Sequence, residues 1–137
     1  MSFAWQEYLV LAEALVQART TFAAEEACCR AAISRAYSAV YGLARAYARD
    51  HEGLRLPATG EAHHLVIAHY RQGAHPLHRV ISDSLRQLRS LRNLADYADE
   101  IHHPVELAMR AVRRARHVMT QLQALAATPP SSRRTTP

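Results

Sequence analysis

Between residues 4 and 127 the apolar side chains return three and four positions apart, and the residues that could interrupt that rhythm stand at its joints. Pro57, Pro76 and Pro104 fall between apolar stripes, and Gly53 and Gly73 follow the ends of two of them. A chain written this way folds into helices, because only a 3.6-residue period keeps such stripes on one face. No segment calls for a strand. The expectation is an all-α, up-down bundle of four to five helices. It forms one domain over residues 1–127, with the polar, proline-bearing 128–137 as a disordered tail. At 137 residues the chain is long enough to bury a substantial core.

The joints place the elements. A first helix covers 4–18, with Trp5, Tyr8, Leu9, Ala12, Leu15 and Val16 on one face. Thr20 and Thr21 are candidate caps for a second, which runs to about His51 and stops at Gly53, with Glu25 and Glu26 near its positive end. Residues 53–60 read as a loop and 61–71 as a short third helix. A fourth extends from Pro76 to Tyr97 and a fifth from Pro104 to Ala127, each with proline in its first turn.

Several classes drop out. The longest apolar runs fall well short of the roughly twenty residues of a membrane helix. The start of the chain lacks the basic leader of a signal peptide. Cys28 and Cys29 are adjacent, a poor arrangement for an intrachain disulfide or a metal, and they read as small core residues of a reduced, cytoplasmic protein. All seventeen basic residues are arginine, and against twelve acids they give a net charge of +5. That excess suits a polyanionic partner, although a GC-rich gene accounts for lysine-free composition equally well.

The faces of the long helices narrow the search. On the second helix Phe22, Cys29, Ile33, Ala36, Val40, Leu43 and Tyr47 form an apolar side, and Arg30, Ser34, Tyr37, Tyr41 and Arg45 lie nearly opposite. A helix covered on both sides is the centre of a bundle, and the polar, aromatic stripe faces another helix or a second subunit. On the fifth, Val105, Ala108, Met109, Val112, Ala115, Met119, Leu122 and Ala126 make a near-heptad seam, with Arg110, Arg113, Arg114 and His117 on the solvent side. On the fourth, Leu77, Ile81, Leu85, Leu88, Leu91 and Ala95 face the core, whereas Arg79, Arg86 and Asn93 point away. Arg92 sits only about 50° from the centre of that buried face. A guanidinium there needs a carboxylate, carbonyl, phosphate or partner subunit for its donors, and Asp96, four residues on, is the nearest.

His63, His64, His69, His75 and His78 crowd the third helix and its exit. None of their spacings is the i, i+4 of a helical metal pair and no third ligand is indicated, so packing or a dimer contact is expected of them, with no metal and no cofactor.

Two segments, SRAYSAVYGLARAYA (34–48) and LRSLRNLADYADEI (88–101), with HHLVIAHY (63–70) between them, resemble helices of the HEPN domains, small prokaryotic helical proteins often encoded beside a minimal nucleotidyltransferase. The resemblance spans about residues 5–127. It implies a homodimeric HEPN-like bundle and, in many members, a metal-independent endoribonuclease of a toxin–antitoxin or defence system. There an Arg-polar pair followed by His converges in the dimer cleft. Here Arg92 and Asn93 match the start of that signature, and Tyr97 stands where histidine is expected. A phenol titrates near pH 10 and is a poor general base at neutrality. The expectation is therefore an RNA- or nucleotide-directed protein that binds with weak or no cleavage, through Arg92, Asn93, Asp96 and Tyr97 with Arg30, Ser34, Tyr37, Tyr41 and Arg45 lining the cleft. The alternatives are a non-catalytic scaffold or partner subunit of a nucleotidyltransferase, and an active ribonuclease toxin. His102 and His103, just past the fourth helix, are the remaining candidates for a proton-transfer group.

Overall fold

The computed structural model describes residues 2–128, and the proposed 128–137 tail lies outside them apart from Thr128. The described residues form five helices and no strand: α1 (Gln6–Gln17), α2 (Glu25–Glu52), α3 (Ala62–Arg71), α4 (Pro76–Tyr97) and α5 (Pro104–Ala127). They pack as an all-α bundle around α2, which touches all four other helices. No helix among them is long and apolar enough to cross a membrane.

Small side chains set how closely α2 is approached. Ala32, Ala36, Ala39, Ala44 and Ala48 of α2 and Ala108, Ala111 and Ala115 of α5 are all buried, so backbones meet where larger residues would hold them apart. Leu85, Leu88, Ile81, Val118 and Leu125 fill the space left between α4, α5 and α2. The ring of Trp5 lies flat against Gly42, where an added Cβ would collide with it. Both cysteines are buried free thiols, and burial pushes Cys29 up. An Arg116–Glu13 ion pair ties α5 to α1.

The joints form as their residues dictate. Gly53 takes a left-handed φ of 72°, and the Leu54 N–H turns back to the Ala48 carbonyl at 3.0 Å. At α4 His75 is the cap: its Nδ1 accepts from the Leu77 N–H at 3.0 Å, and His78 Nδ1 accepts from the His75 N–H at 3.2 Å. Two histidines thus do what Ser and Glu do in an ordinary capping box.

Four expectations need correction. The second helix starts at Glu25 with no side-chain cap, because Thr21 Oγ instead donates to the Ala18 carbonyl at 2.7 Å and closes the turn after α1. Phe22 therefore precedes the helix and is 68% exposed instead of lying on its apolar side. The seam of α5 is rotated: Ala111, Val118 and Leu125 are buried while Met109 and Ala126 are exposed, since α5 packs against α2 and α4 together. The same rotation half-buries Arg114, whose Nη1 donates to Ser84 Oγ at 3.4 Å, so the basic side of α5 borders α4 and does not face solvent alone.

Candidate functional site

Tyr37 and Tyr41 stand one turn apart on α2, and their rings stack with centroids 5.7 Å apart and 23° between planes. The loop after Gly53 brings the first turn of α3 back over them. His63 then lies on Tyr41 at 3.9 Å and 13°, and its Nδ1 meets the Tyr37 hydroxyl at 2.6 Å. Arg92, from α4, closes the side with its guanidinium 5.5 Å from the centre of the Tyr37 ring. Ser34 Oγ donates to Asp96 Oδ2 at 3.3 Å. The result is a small open pocket of about 170 Å³ lined by Ser34, Arg35, Tyr37, Ser38, Tyr41, His63, Arg92 and Asp96. That volume is below the roughly 300 Å³ at which pockets begin to enclose drug-sized ligands. It suits one flat ring or one phosphate.

Electrostatics make the pocket cationic yet keep its imidazole neutral. Burial and then the positive charges of Arg89, Arg92 and Arg45 push His63 down to about 4. Burial raises the Tyr37 phenol against the pull of Arg89 and Arg92, and raises Tyr41 likewise against Arg45 and Arg89. Both hydroxyls stay protonated, so the Tyr37 O–H donates to His63 Nδ1 and leaves the ring proton on Nε2. An imidazole held this far below neutrality is a weak base and a good stacking surface. Arg92 is the unsatisfied member. Its pair with Asp96 is 3.8 Å long with no hydrogen bond, and among the described residues its buried Nε has no partner; Arg89 Nε is in the same state.

The sequence-derived candidates separate here. Ser34, Tyr37, Tyr41, Arg92 and Asp96 meet in the pocket, and Arg45 contributes its field. Arg30 does not join them: its Nη1 donates to the carbonyls of Ala95 (3.2 Å) and Ala98 (2.6 Å), its Nη2 to that of Asp99 (3.3 Å), and its Nε to Glu26 (2.9 Å). It clamps the carbonyl end of α4, where a cation is favoured. Asn93 is exposed, and Tyr97 is 75% exposed and outside the pocket lining. His102 and His103 are exposed in the α4–α5 connection, with His103 at a left-handed φ of 57°. Arg35, Ser38 and Arg89 were not singled out from sequence. Arg89 carried a signal, since it lies three residues before Arg92 on the same flank of α4.

The other histidines build a different device. Glu52, at the end of α2, accepts from His69 Nε2 at 2.8 Å and from His78 Nε2 at 2.7 Å. Because His78 Nδ1 already accepts from the backbone, its proton must be on Nε2. Burial opposes the charge on Glu52, but the two hydrogen bonds outweigh it and hold the carboxyl below its usual range. Among the described residues no group of three or more His, Cys, Asp or Glu side chains is arranged to hold a metal ion.

Compared with protein-family models, with curated proteins and with solved structures, the chain matches none.

Proposed function

We propose that this chain is a HEPN-type, RNA- or nucleotide-directed protein of a toxin–antitoxin or defence system, working in the cytoplasm as a homodimer and binding its ligand with little or no cleavage. One observation carries the reading: Arg92 is held beside stacked aromatic rings with a buried, unpartnered Nε and only a long ion pair to Asp96. A guanidinium in that state takes a phosphate bidentately, and Tyr41 with His63 offers a base a flat surface. The 3.8 Å pair to Asp96 competes weakly, because part-exposed ion pairs contribute about 0–1 kcal/mol. Weak cleavage follows from the same geometry. The imidazole at hand titrates near 4, and the phenol of Tyr97 stands away from the pocket.

The test is binding and cleavage of single-stranded RNA, in the presence of chelator, by wild type, Arg92→Ala and Tyr97→His. Wild type should bind without cutting, and Arg92→Ala should bind at least tenfold more weakly. Unchanged affinity in Arg92→Ala sinks the reading. Cleavage gained in Tyr97→His would mark the pocket as a ribonuclease site that has lost its base, and metal-independent cleavage by wild type would favour the active toxin instead.

A further inference from the structure

A second cationic surface lies across α4 from the pocket. Val80 and Ser84 border the buried stripe of α4 on the side of α5, where they form one wall of a groove of about 390 Å³. The other wall is α5, which supplies Arg110, Arg113, Arg114 and His117 at i, i+3, i+4 and i+7. No Asp or Glu lines the groove. Arg110 and Arg113 have no ion pair among the described residues, whereas their neighbour Arg116 is paired with Glu13. Among the described residues Arg114 has only its long contact with Ser84, and Gln121 buries an amide oxygen at the groove with no hydrogen-bond partner.

Arginines stacked three and four apart repel one another and weaken the helix that carries them. Among the described residues no carboxylate pairs with Arg110, Arg113 or Arg114, the nearby Glu13 being taken by Arg116, and the row suits an anion from outside. We infer that the α4–α5 groove binds the phosphodiester backbone of a nucleic-acid strand. The length of the row selects a chain of phosphates over a single one. From Arg110 to His117 the row rises about 10 Å, longer than one phosphate and enough for neighbouring phosphates of one strand. Arginine forks grip the phosphates. The inference does not depend on the Arg92 pocket, which lies on the other flank of α4 among residues of α2 and α3.

The experiment is fluorescence anisotropy of labelled oligo(U) and oligo(dT) with the full chain at rising salt. It compares wild type, Arg110→Ala with Arg113→Ala, and Arg92→Ala, each with its melting temperature. Arg110 and Arg113 are exposed, so the double variant should fold like wild type. Its affinity should fall at least tenfold at 0.1 M salt, and its slope of log affinity against log salt should shrink by about 1.4, since each single-strand phosphate neutralised contributes about 0.7 through counterion release. Wild-type affinity and slope in the double variant overturn the inference, as does a wild type that binds neither oligomer. Inorganic phosphate competing at the concentration of phosphate groups in the oligomer would show an isolated-anion site and overturn the chain of phosphates. A loss confined to Arg92→Ala supports the pocket and removes the groove; a loss confined to the double variant does the reverse.

Discussion

Two polar clusters share the same three helices, and they are finished to different degrees. At the lower end of α2, Glu52 has each carboxylate oxygen occupied by a histidine, one from α3 and one from α4, and His78 uses its other nitrogen on the backbone. Half a helix away, His63, Tyr37 and Tyr41 are stacked and bonded to each other, but the arginines around them are not satisfied. The first cluster is a staple in which every donor has its acceptor. The second leaves guanidinium groups waiting. Buried groups without partners cost stability, and a chain that keeps them at one place and not at another separates holding from binding.

Breaking the staple gives the largest effect. Glu52→Ala leaves His78, only 4% exposed, with its Nε2 proton unanswered and removes the side-chain bonds that tie the end of α2 to α3 and α4. The expected cost is about 3 kcal/mol, seen as a fall of about 10 °C in Tm. Glu52→Gln should recover most of it, because an amide and two imidazoles can still pair. Equal losses for Ala and Gln would mean that charge, not pairing, holds the staple. Tyr37→Phe comes next. It removes the hydroxyl from His63 Nδ1 inside a well-packed wall and should cost about 1 kcal/mol in urea unfolding. A neutral outcome would show that the stacked rings alone fix His63.

Smaller again is a pH effect that tells the clusters apart by window. The unfolded chain protonates His63 near 6.5, whereas the folded pocket keeps it neutral down to about 4. Between those values the unfolded state holds the extra proton, so stability falls as pH drops from about 6.5 towards 4. Glu52 is shifted in the same direction but in a lower window: its contribution is complete above the carboxylate range and is lost as pH falls below 4.5. Urea midpoints at pH 7, 6 and 5 for wild type and His63→Gln check this. The variant should lose part of the decline in that range, and superimposable curves would remove His63 from the account.

Much of the fold could be read from sequence, because its signals are local. Pro76, Pro104 and Gly53 set helix ends by constraints that each residue carries itself, and all three ends lie where expected. The start of α2 was missed because the Thr21 hydroxyl could either accept from the free N–H groups at the start of α2 or donate to the free carbonyls at the end of α1, and it does the second. The site divides along the same line. Arg92 was visible as an arginine too close to a buried stripe, a property of one helix. The clamp of Arg30 on the end of α4 spans 65 to 69 residues, and the Glu52 staple spans 17 and 26. No spacing rule reaches across such separations, so the histidines looked like a crowd when His69 and His78 were a staple, His75 with the same His78 a cap, and His63 a pocket wall.

The smallest expected change sharpens the comparison most. Arg92→Ala removes a guanidinium from the edge of a buried stripe, where truncation of a structural arginine would break a network and cost several kcal/mol. Here the Asp96 pair is 3.8 Å long and Nε bonds to nothing, so what is lost is one loose ion pair and a contact with the face of Tyr37. Against that, removal relieves an unsatisfied donor and takes one positive charge away from Arg89 and His63. The net change in stability should be about 0.5 kcal/mol or less, under about 2 °C in Tm, while Glu52→Ala in the same assay loses several times that. A large loss for Arg92→Ala would make the pocket a second staple. A small one leaves Arg92 as a group that the folded chain carries without needing it to fold.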